Sequence, residues 1–142
     1  VIVGFPTETE KDFEETIDTV KRFAFSKIHV FPYSRRKGTV ADEMDGQIDE
    51  RIKKERTKRL IAVSEELENN YRKQFLGRQV TVIPEPYKAG MLIGHTGNYL
   101  LVKGPGSEAL LHQTITVQLT EINGIFMMGK LLSPLHEDSC LC

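Results

Sequence analysis

The sequence predicts an α/β segment followed by an all-β domain, and three features of the chain carry that prediction. Two apolar, strand-like stretches, Val1–Val3 and residues 27–32, flank a stretch of helical length. Residues 49–75 then place apolar side chains at helical spacing. From Gly77 onward, apolar and polar residues alternate, and a period of two is typical of half-buried antiparallel strands.

The first segment predicts a strand, a helix and a second strand in that order. The continuous apolar run Val1–Val3 predicts a strand buried on both faces. Thr9 is the expected N-cap of a helix over about 10–24, and short links favour parallel pairing with the strand at 27–32. A single unit of this kind needs neighbouring strands for a core, so we expect a fragment of a longer protein. The apolar face of the helix comprises Phe13, Ile17, Val20 and Phe23.

A polar loop at 33–47 leads to the long helix predicted at 49–75. Cations crowd the first half of this helix, and Glu50 and Glu55 interleave with them. Mixed charge of this kind favours a solvated helix face over a nucleic-acid patch. The apolar stripe comprises Ile52, Leu60, Val63, Leu67, Tyr71 and Phe75, and the cations are Arg51, Lys53, Lys54, Arg56, Lys58 and Arg59.

The second segment predicts about five short strands in a small closed or partly closed β-barrel of OB-like size. Turn signals separate the strands, and Phe126-Met127-Met128 is expected to be a strand. We place the domain boundary at 76/77 and a tail after Pro134. The turn signals lie at 84–86, 97–98, 104–107 and 123–124.

The distribution of charge, the length of the apolar runs and the cysteine content limit the classes of protein to which the chain can belong. Residues 1–76 hold 15 Lys and Arg and 15 Asp and Glu, and residues 77–142 hold four and five, so neither half is basic and charge alone gives no argument for nucleic acid. No apolar run reaches the ~20 residues that span a bilayer, so no membrane partner is expected.

The chain has two cysteines, Cys140 and Cys142, and this low number favours a reduced, cytoplasmic protein. Together with His136, these cysteines are candidate metal ligands. Zinc sites usually take four ligands from an ordered scaffold, so a disordered tail is the preferred interpretation.

Three stretches, taken in order, resemble one known family. Residues 1–13 are similar to a Gly-Phe-Pro-x-Glu-Thr-Glu stretch of the radical-SAM tRNA methylthiotransferases, with Thr7 in place of the usual Gly. Residues 29–39 resemble that family's last barrel strand and its Tyr-Ser-x-Arg-x-Gly-Thr loop. Residues 94–102 resemble the TRAM domain, a small RNA-binding β-barrel, with Gly97 replacing a polar residue. The basic Arg35 favours the branch that acts on threonylcarbamoyladenosine in tRNA.

The resemblance implies a fold and an activity for the parent protein. Residues 1–76 would be the last strands and helices of a partial radical-SAM (β/α)6 barrel with a long linking helix, residues 77–134 a TRAM barrel, and residues 135–142 a tail. The parent would methylthiolate C2 of N6-threonylcarbamoyladenosine next to the anticodon, using S-adenosylmethionine and two 4Fe-4S clusters. The Cys-x3-Cys-x2-Cys motif that holds the cofactor-cleaving cluster is absent from this sequence. We therefore expect this chain to be inactive alone and to require the missing N-terminal portion of the enzyme.

The resemblance also implies binding residues, although no catalytic or metal-binding residue is expected in this chain. Ile2 and Gly4 match positions beside the adenosyl end of the cofactor, where the competing interpretation is barrel core and a turn glycine. For the expected tRNA contacts in the loop, the alternative interpretation is a solvated loop. For those near residues 94–102, it is a purely structural role. The expected tRNA contacts are Arg35, Arg36, Lys37, Arg78, His95, Asn98, Tyr99 and Lys103.

Two other functions are also compatible with the sequence. The TRAM-like barrel is a candidate stand-alone RNA-binding module, with residues 1–76 as a relic. The sister branch that modifies an aspartate of a ribosomal protein is the closer alternative, although residues 94–99 fit it less well.

Overall fold

A computed structural model describes residues 1–132 of the chain. Two compact units make up the fold: Val1–Tyr71, and a second unit that begins at Arg72. The predicted tail at 135–142, with its His136, Cys140 and Cys142, lies outside the described residues.

The first unit is the α/β part that the sequence predicts. Strands β1 and β2 pair in parallel, with Ile2 opposite Phe31 and Val3 opposite Pro32. Helix α1 begins with a capping box, in which Thr9 and Asp12 each bond the other's backbone N–H. The parallel pairing and the capped helix are therefore confirmed. The elements are β1 (Ile2–Val3), α1 (Glu10–Phe23), β2 (Phe31–Pro32), α2 (Val40–Glu43) and α3 (Glu50–Lys73), whose last residues pass into the second unit.

The core of the first unit is small and one-sided. The prediction that β1 is buried on both faces is wrong, because Val3 is buried whereas Ile2 is 59% exposed. The helices cover one face of this two-residue strand, and alternation turns Ile2 to the other face. Phe23 is also exposed, at 61%, where the sequence pattern predicts burial. The buried cluster comprises Val3, Phe13, Ile17, Val20 and Leu60, with Ile28, Val30, Val63 and Leu67 packed against it.

The second unit is a closed five-stranded barrel with the strand order β3-β4-β5-β7-β6. Only the β5–β7 pair is parallel; the other four pairs are antiparallel. The predicted small β-barrel, including Phe126-Met127-Met128 as a strand, is confirmed. The strands are β3 (Gln79–Lys88), β4 (Met91–His95), β5 (Leu101–Pro105), β6 (Ile115–Asn123) and β7 (Phe126–Leu131), and a 3₁₀ turn spans Glu108–Leu110.

The barrel interior is packed with side chains and leaves no room for a ligand. About 10 Å³ of free space remains among its lining residues, roughly the volume of one water molecule by this measure. Gly104 and Gly129 allow two strands to approach closely, since a Cβ on Gly104 would overlap the Gly129 carbonyl oxygen. This unit is therefore a solid barrel, and any binding chemistry belongs to its outer surface and its turns.

One predicted turn signal, 84–86, lies inside a strand, and another, 104–107, overlaps the end of a strand. Pro84 and Pro86 both belong to β3, and the ladder to β4 shifts register between Pro84 and Tyr87. Prolines lack the N–H that a regular ladder needs, so an irregularity of this kind accommodates them within a strand. Gly104 and Pro105 likewise end β5 instead of forming a turn.

Candidate functional site

The turn that follows β1 holds two residues in the left-handed backbone region. Gly4 has a φ of 75° and Thr7 a φ of 72°. The Thr7 N–H donates to the Gly46 carbonyl oxygen at 2.8 Å, and the Gly4 N–H donates to Glu8 Oε1 at 3.0 Å. Thr7 therefore keeps the conformation that glycine adopts easily at this position, and does so with backbone strain because its side chain is β-branched.

Two cations of α3 are buried against this turn. Lys53 is 3% exposed and Arg56 is 5% exposed. Arg56 donates from Nη1 to the Glu8 carbonyl oxygen at 3.0 Å and to Glu8 Oε1 at 2.8 Å, and from Nε to Glu10 Oε2 at 3.2 Å. Lys53 donates from Nζ to the Tyr33 carbonyl oxygen at 3.2 Å and pairs with Glu50. Both side chains therefore fix the turn and the end of β2.

The prediction of a solvated cationic face is thus wrong for Lys53 and Arg56. These two residues share the buried face of α3 with Leu60 and Ser64. Steps of three, four and four residues place all four side chains on one side of a helix. That spacing is the signal that sequence reasoning missed, because Lys53 and Arg56 lie within a run of six cations whose other members disguise the buried face.

The ion pairs around Arg56 continue outward to Arg59. A hydrogen bond from Arg59 is the main cause that lowers the pKa of Glu10, against a smaller opposing effect of desolvation. The same bond raises the pKa of Arg59, which also pairs with Glu14. Both guanidinium groups lie over the Phe13 ring, with Cζ 4.9 Å from its centroid for Arg59 and 5.6 Å for Arg56. This network ties α1, the turn and α3 together.

The two predicted cofactor-binding residues occupy different surroundings. Ile2 lines an open groove of about 640 Å³, together with Phe31, Tyr33 and Arg36. Gly4 is buried, and a Cβ at this position would overlap the Lys53 side chain. The close neighbour that requires glycine here is therefore Lys53 of the chain itself. The remaining residues of the groove are Pro32, Ser34, Thr39 and Ala41.

The cationic loop after β2 contains one tethered arginine and two exposed cations. Arg35 donates from Nε to Asp42 Oδ1 at 2.7 Å and from Nη2 to the Asp42 carbonyl oxygen at 2.8 Å. Arg36 and Lys37 are exposed and form no ion pair with any residue in 1–132. Arg35 thus shapes the loop, and the next two residues present charge to solvent.

The β4–β5 turn brings together three of the predicted tRNA contacts: His95, Asn98 and Tyr99. The buried Thr96 organises it, donating from Oγ1 to Asn98 Oδ1 at 2.6 Å and accepting the Leu100 N–H at 3.0 Å. Tyr99 has a φ of 64° and is 87% exposed. His95 ends β4 and is also exposed. The turn therefore holds an aromatic ring in solvent on a well-bonded backbone.

The other two predicted contacts of the barrel lie apart from this turn in the chain. Arg78 directly precedes β3, with its Cζ 5.4 Å from the Phe75 ring centroid. Lys103 lies on β5, and its Nζ is 5.3 Å from the Phe126 ring centroid. Each cation is thus stacked on an aromatic ring of the chain.

The described residues offer no place for a metal cluster. No group of three or more His, Cys, Asp or Glu residues in 1–132 is arranged to hold a metal ion. The cysteines that an iron–sulfur cluster needs are absent from this range, so the residues present do not fit such a cluster. Within the same range, no helix is long and apolar enough to cross a membrane.

Comparison with known proteins identifies the relatives of the chain. The threonylcarbamoyladenosine tRNA methylthiotransferase of Bacillus subtilis is 37% identical over 97% of this chain. The tRNA-2-methylthio-N(6)-dimethylallyladenosine synthases of Aquifex aeolicus and Fusobacterium nucleatum are 37% and 40% identical, each over 93% of it. The chain is homologous to part of the tRNA methylthiotransferases.

That homology covers nearly all of this chain but a minor part of each relative. The chain spans about a third of the length of these tRNA methylthiotransferases, between 30% and 32%. No protein-family model matches it. Relatives named for two different modified adenosines share similar identity with the chain, so identity alone does not assign its nucleoside.

Proposed function

We propose that this chain is the C-terminal part of a radical-SAM tRNA methylthiotransferase, in which the first unit ends the catalytic barrel and the second binds tRNA. The observation that carries this proposal is similarity to tRNA methylthiotransferases across 93–97% of the chain. The parallel β1–β2 pair followed by a closed β-barrel agrees with the order of parts that the resemblance implies. The proposed division is residues 1–76, 77–134 and a tail at 135–142.

The catalytic chemistry of the proposed enzyme belongs to a part that this sequence does not contain. S-adenosylmethionine and two 4Fe-4S clusters would be held mainly by that part, and residues 1–132 offer no cluster of metal ligands. In this proposal the chain contributes the groove beside Ile2 at the barrel end. The chain is inactive by itself, and the complete enzyme acts in the cytoplasm.

The proposed substrate is N6-threonylcarbamoyladenosine in tRNA, methylthiolated at C2. Arg35 supports this choice because it matches the basic residue of that branch, and its bonds to Asp42 hold the loop in one shape. That loop presents Arg36 and Lys37, which suit contacts to tRNA phosphates. Arg78, His95, Asn98, Tyr99 and Lys103 are the proposed contacts on the barrel.

Deletion of the encoding gene in its host tests the proposal through the nucleosides of total tRNA. We expect the 2-methylthio derivative of threonylcarbamoyladenosine to disappear, as measured by mass spectrometry of digested tRNA. The 2-methylthio derivative of dimethylallyladenosine should remain, and a plasmid copy of the gene should restore the lost nucleoside. This pair of nucleosides is the internal control for substrate choice.

Each other result of the deletion points to a different function. Loss of the dimethylallyladenosine derivative alone would contradict the proposed substrate and keep the enzyme class. Loss of a methylthio group from a ribosomal-protein aspartate would assign the sister branch. An unchanged set of tRNA nucleosides, with RNA still bound by the chain, would leave a stand-alone RNA-binding module.

A further inference from the structure

A groove of about 470 Å³ lies on the barrel beside the β4–β5 turn. Thr81 of β3 and Thr116 of β6 form one of its walls, since they are directly opposite each other in the ladder. Gln79 lies two residues before Thr81 on the same strand and therefore on the same face of the sheet. Val80 and the turn residues Thr96–Asn98 complete the lining.

Most of the side chains that line this groove are polar, and Val80 adds an apolar contact surface. No Lys, Arg, Asp or Glu is among its lining residues. The side chains of Gln79, Thr81 and Thr116 form no hydrogen bond with any residue in 1–132, so one amide and two hydroxyl groups remain available to a ligand. Amide and hydroxyl groups match the edges of nucleobases and ribose hydroxyls, whereas phosphate contacts favour cations.

Tyr99 adds an aromatic platform directly after the lining residue Asn98. Its side chain is 87% exposed although its backbone adopts the left-handed region at φ 64°. The Tyr99 N–H donates to the Thr96 carbonyl oxygen at 3.0 Å, and Thr96 and Leu100 are bonded across the turn. An exposed ring on a well-bonded turn is ready to stack on a base without first being ordered. A tyrosine at a position that suits glycine is also a costly choice for the fold alone.

We propose that this groove binds one unpaired nucleotide of RNA. The base stacks on Tyr99, and Gln79, Thr81 and Thr116 donate to and accept from the base edge or the ribose. This inference rests on the proposed function, and it goes further by assigning a nucleotide site that accepts single-stranded RNA and excludes a paired base.

A tryptophan reporter tests the stacking directly. The chain has no tryptophan, so Tyr99→Trp introduces a single fluorophore at the proposed platform. Titration with a 12-nucleotide single-stranded RNA at low salt is expected to quench its emission. The same strand in a perfect duplex should quench far less, because its bases are already stacked and paired.

Four variants with the same RNA separate binding from folding. Tyr99→Gly removes the ring and suits the positive φ, so we expect an equal or more stable chain with about tenfold weaker binding of the single strand. Tyr99→Phe keeps the ring and should bind as the wild type does. Tyr87→Ala is the matched control, since Tyr87 lies near the far end of β3 and is 36% exposed; its binding should be unchanged. Thr116→Val, which removes one hydroxyl, should weaken binding about threefold.

The outcomes distinguish this inference from the proposed function. If the chain binds tRNA and Tyr99→Gly binds it as tightly as Tyr87→Ala does, the nucleotide site is overturned and the function stands. If single strand and duplex quench the Tyr99→Trp reporter equally, the preference for an unpaired base is overturned. If the wild-type chain binds neither tRNA nor the single strand, the proposed tRNA binding and this inference both fail.

Discussion

The two units of this chain are stabilised in different ways. The first unit buries two cations, Lys53 and Arg56, beside a core of five buried apolar residues. The barrel closes on an apolar interior, and no ion pair joins two residues within 77–132. In the first unit, buried charged side chains hold a turn and a loop in place. In the barrel, the closed ladder of paired strands stabilises the fold.

Each unit therefore depends on a different kind of residue. A buried guanidinium has few substitutes, because its removal leaves a partly buried carboxylate, that of Glu8, without its charged partner. A closed barrel depends instead on close backbone approach, and so on its small residues. Substitutions that target these two features, each with a matched control, test whether the two units are stabilised in these different ways.

The largest expected effect is that of Arg56→Met. This change leaves the half-buried Glu8 without its ion pair at 2.8 Å, and we expect the first unit to lose about 3–5 kcal/mol of unfolding free energy. The loss is measured from the hydrogen exchange of the α1 amides at increasing urea concentrations. Arg59→Met is the control, since its side chain is 35% exposed, and its cost should stay below about 1 kcal/mol. Equal losses for the two variants would refute the claim that burial makes Arg56 critical.

The second effect is that of Gly104→Ala in the barrel. The added methyl group overlaps the Gly129 carbonyl oxygen, so the strands must separate, at a cost of about 2–3 kcal/mol. Chemical denaturation monitored by the amide exchange of β5 and β7 reports it. Gly97→Ala is the control because its Cβ meets no heavy atom within 4 Å. A stable Gly104→Ala barrel would show that backbone closeness does not limit this unit.

A smaller effect, of opposite sign, is expected for Thr7→Gly. Glycine relieves the strain at φ 72°, and this outweighs its greater freedom in the unfolded chain. The first unit should gain about 1 kcal/mol, measured as a higher urea midpoint. Thr19→Gly in the exposed middle of α1 is the contrasting control, and it should destabilise the helix by roughly the intrinsic cost of glycine. A loss of stability in Thr7→Gly would show that the threonine contacts matter more than its strain.

The smallest effect is a pH dependence of the first unit. Hydrogen bonds from Arg59 and Thr9 lower the pKa of Glu10 and Asp12, respectively. A lowered folded-state pKa stabilises the fold above the unfolded-state pKa, about 4 for these groups. Stability should therefore decline as the pH falls below about 4, and the contribution should vanish once the pH passes the lowered folded-state values. Urea midpoints between pH 6 and 3 check this, and Arg59→Met should flatten the Glu10 part of the profile.

Sequence reasoning predicted the elements of this fold better than their surroundings. The capped helix at Thr9 and the alternation in 77–132 are local patterns, and both are confirmed. The burial of Arg56 depends on carboxylates more than 40 residues away in the chain, at Glu8 and Glu10. A local charge pattern holds no information about such distant partners.

The candidate binding surface was predictable only where a motif marked it. Residues 94–102 drew attention to His95, Asn98 and Tyr99, which the β4–β5 turn does bring together. Thr81 and Thr116 attract no notice in the sequence, because only the ladder register makes them neighbours. Contacts between strands of a barrel depend on closure, which no single segment encodes.

The decisive measurement for a tRNA-binding role is the affinity of the 142-residue chain for tRNA. Total tRNA is titrated at about 50 mM and 200 mM salt, with the wild-type chain and Tyr99→Gly side by side. We expect binding at low salt that weakens at high salt because phosphates are contacted, and a further loss in Tyr99→Gly at both salt concentrations. No binding at about 50 mM salt, where electrostatic contacts are strongest, would contradict it.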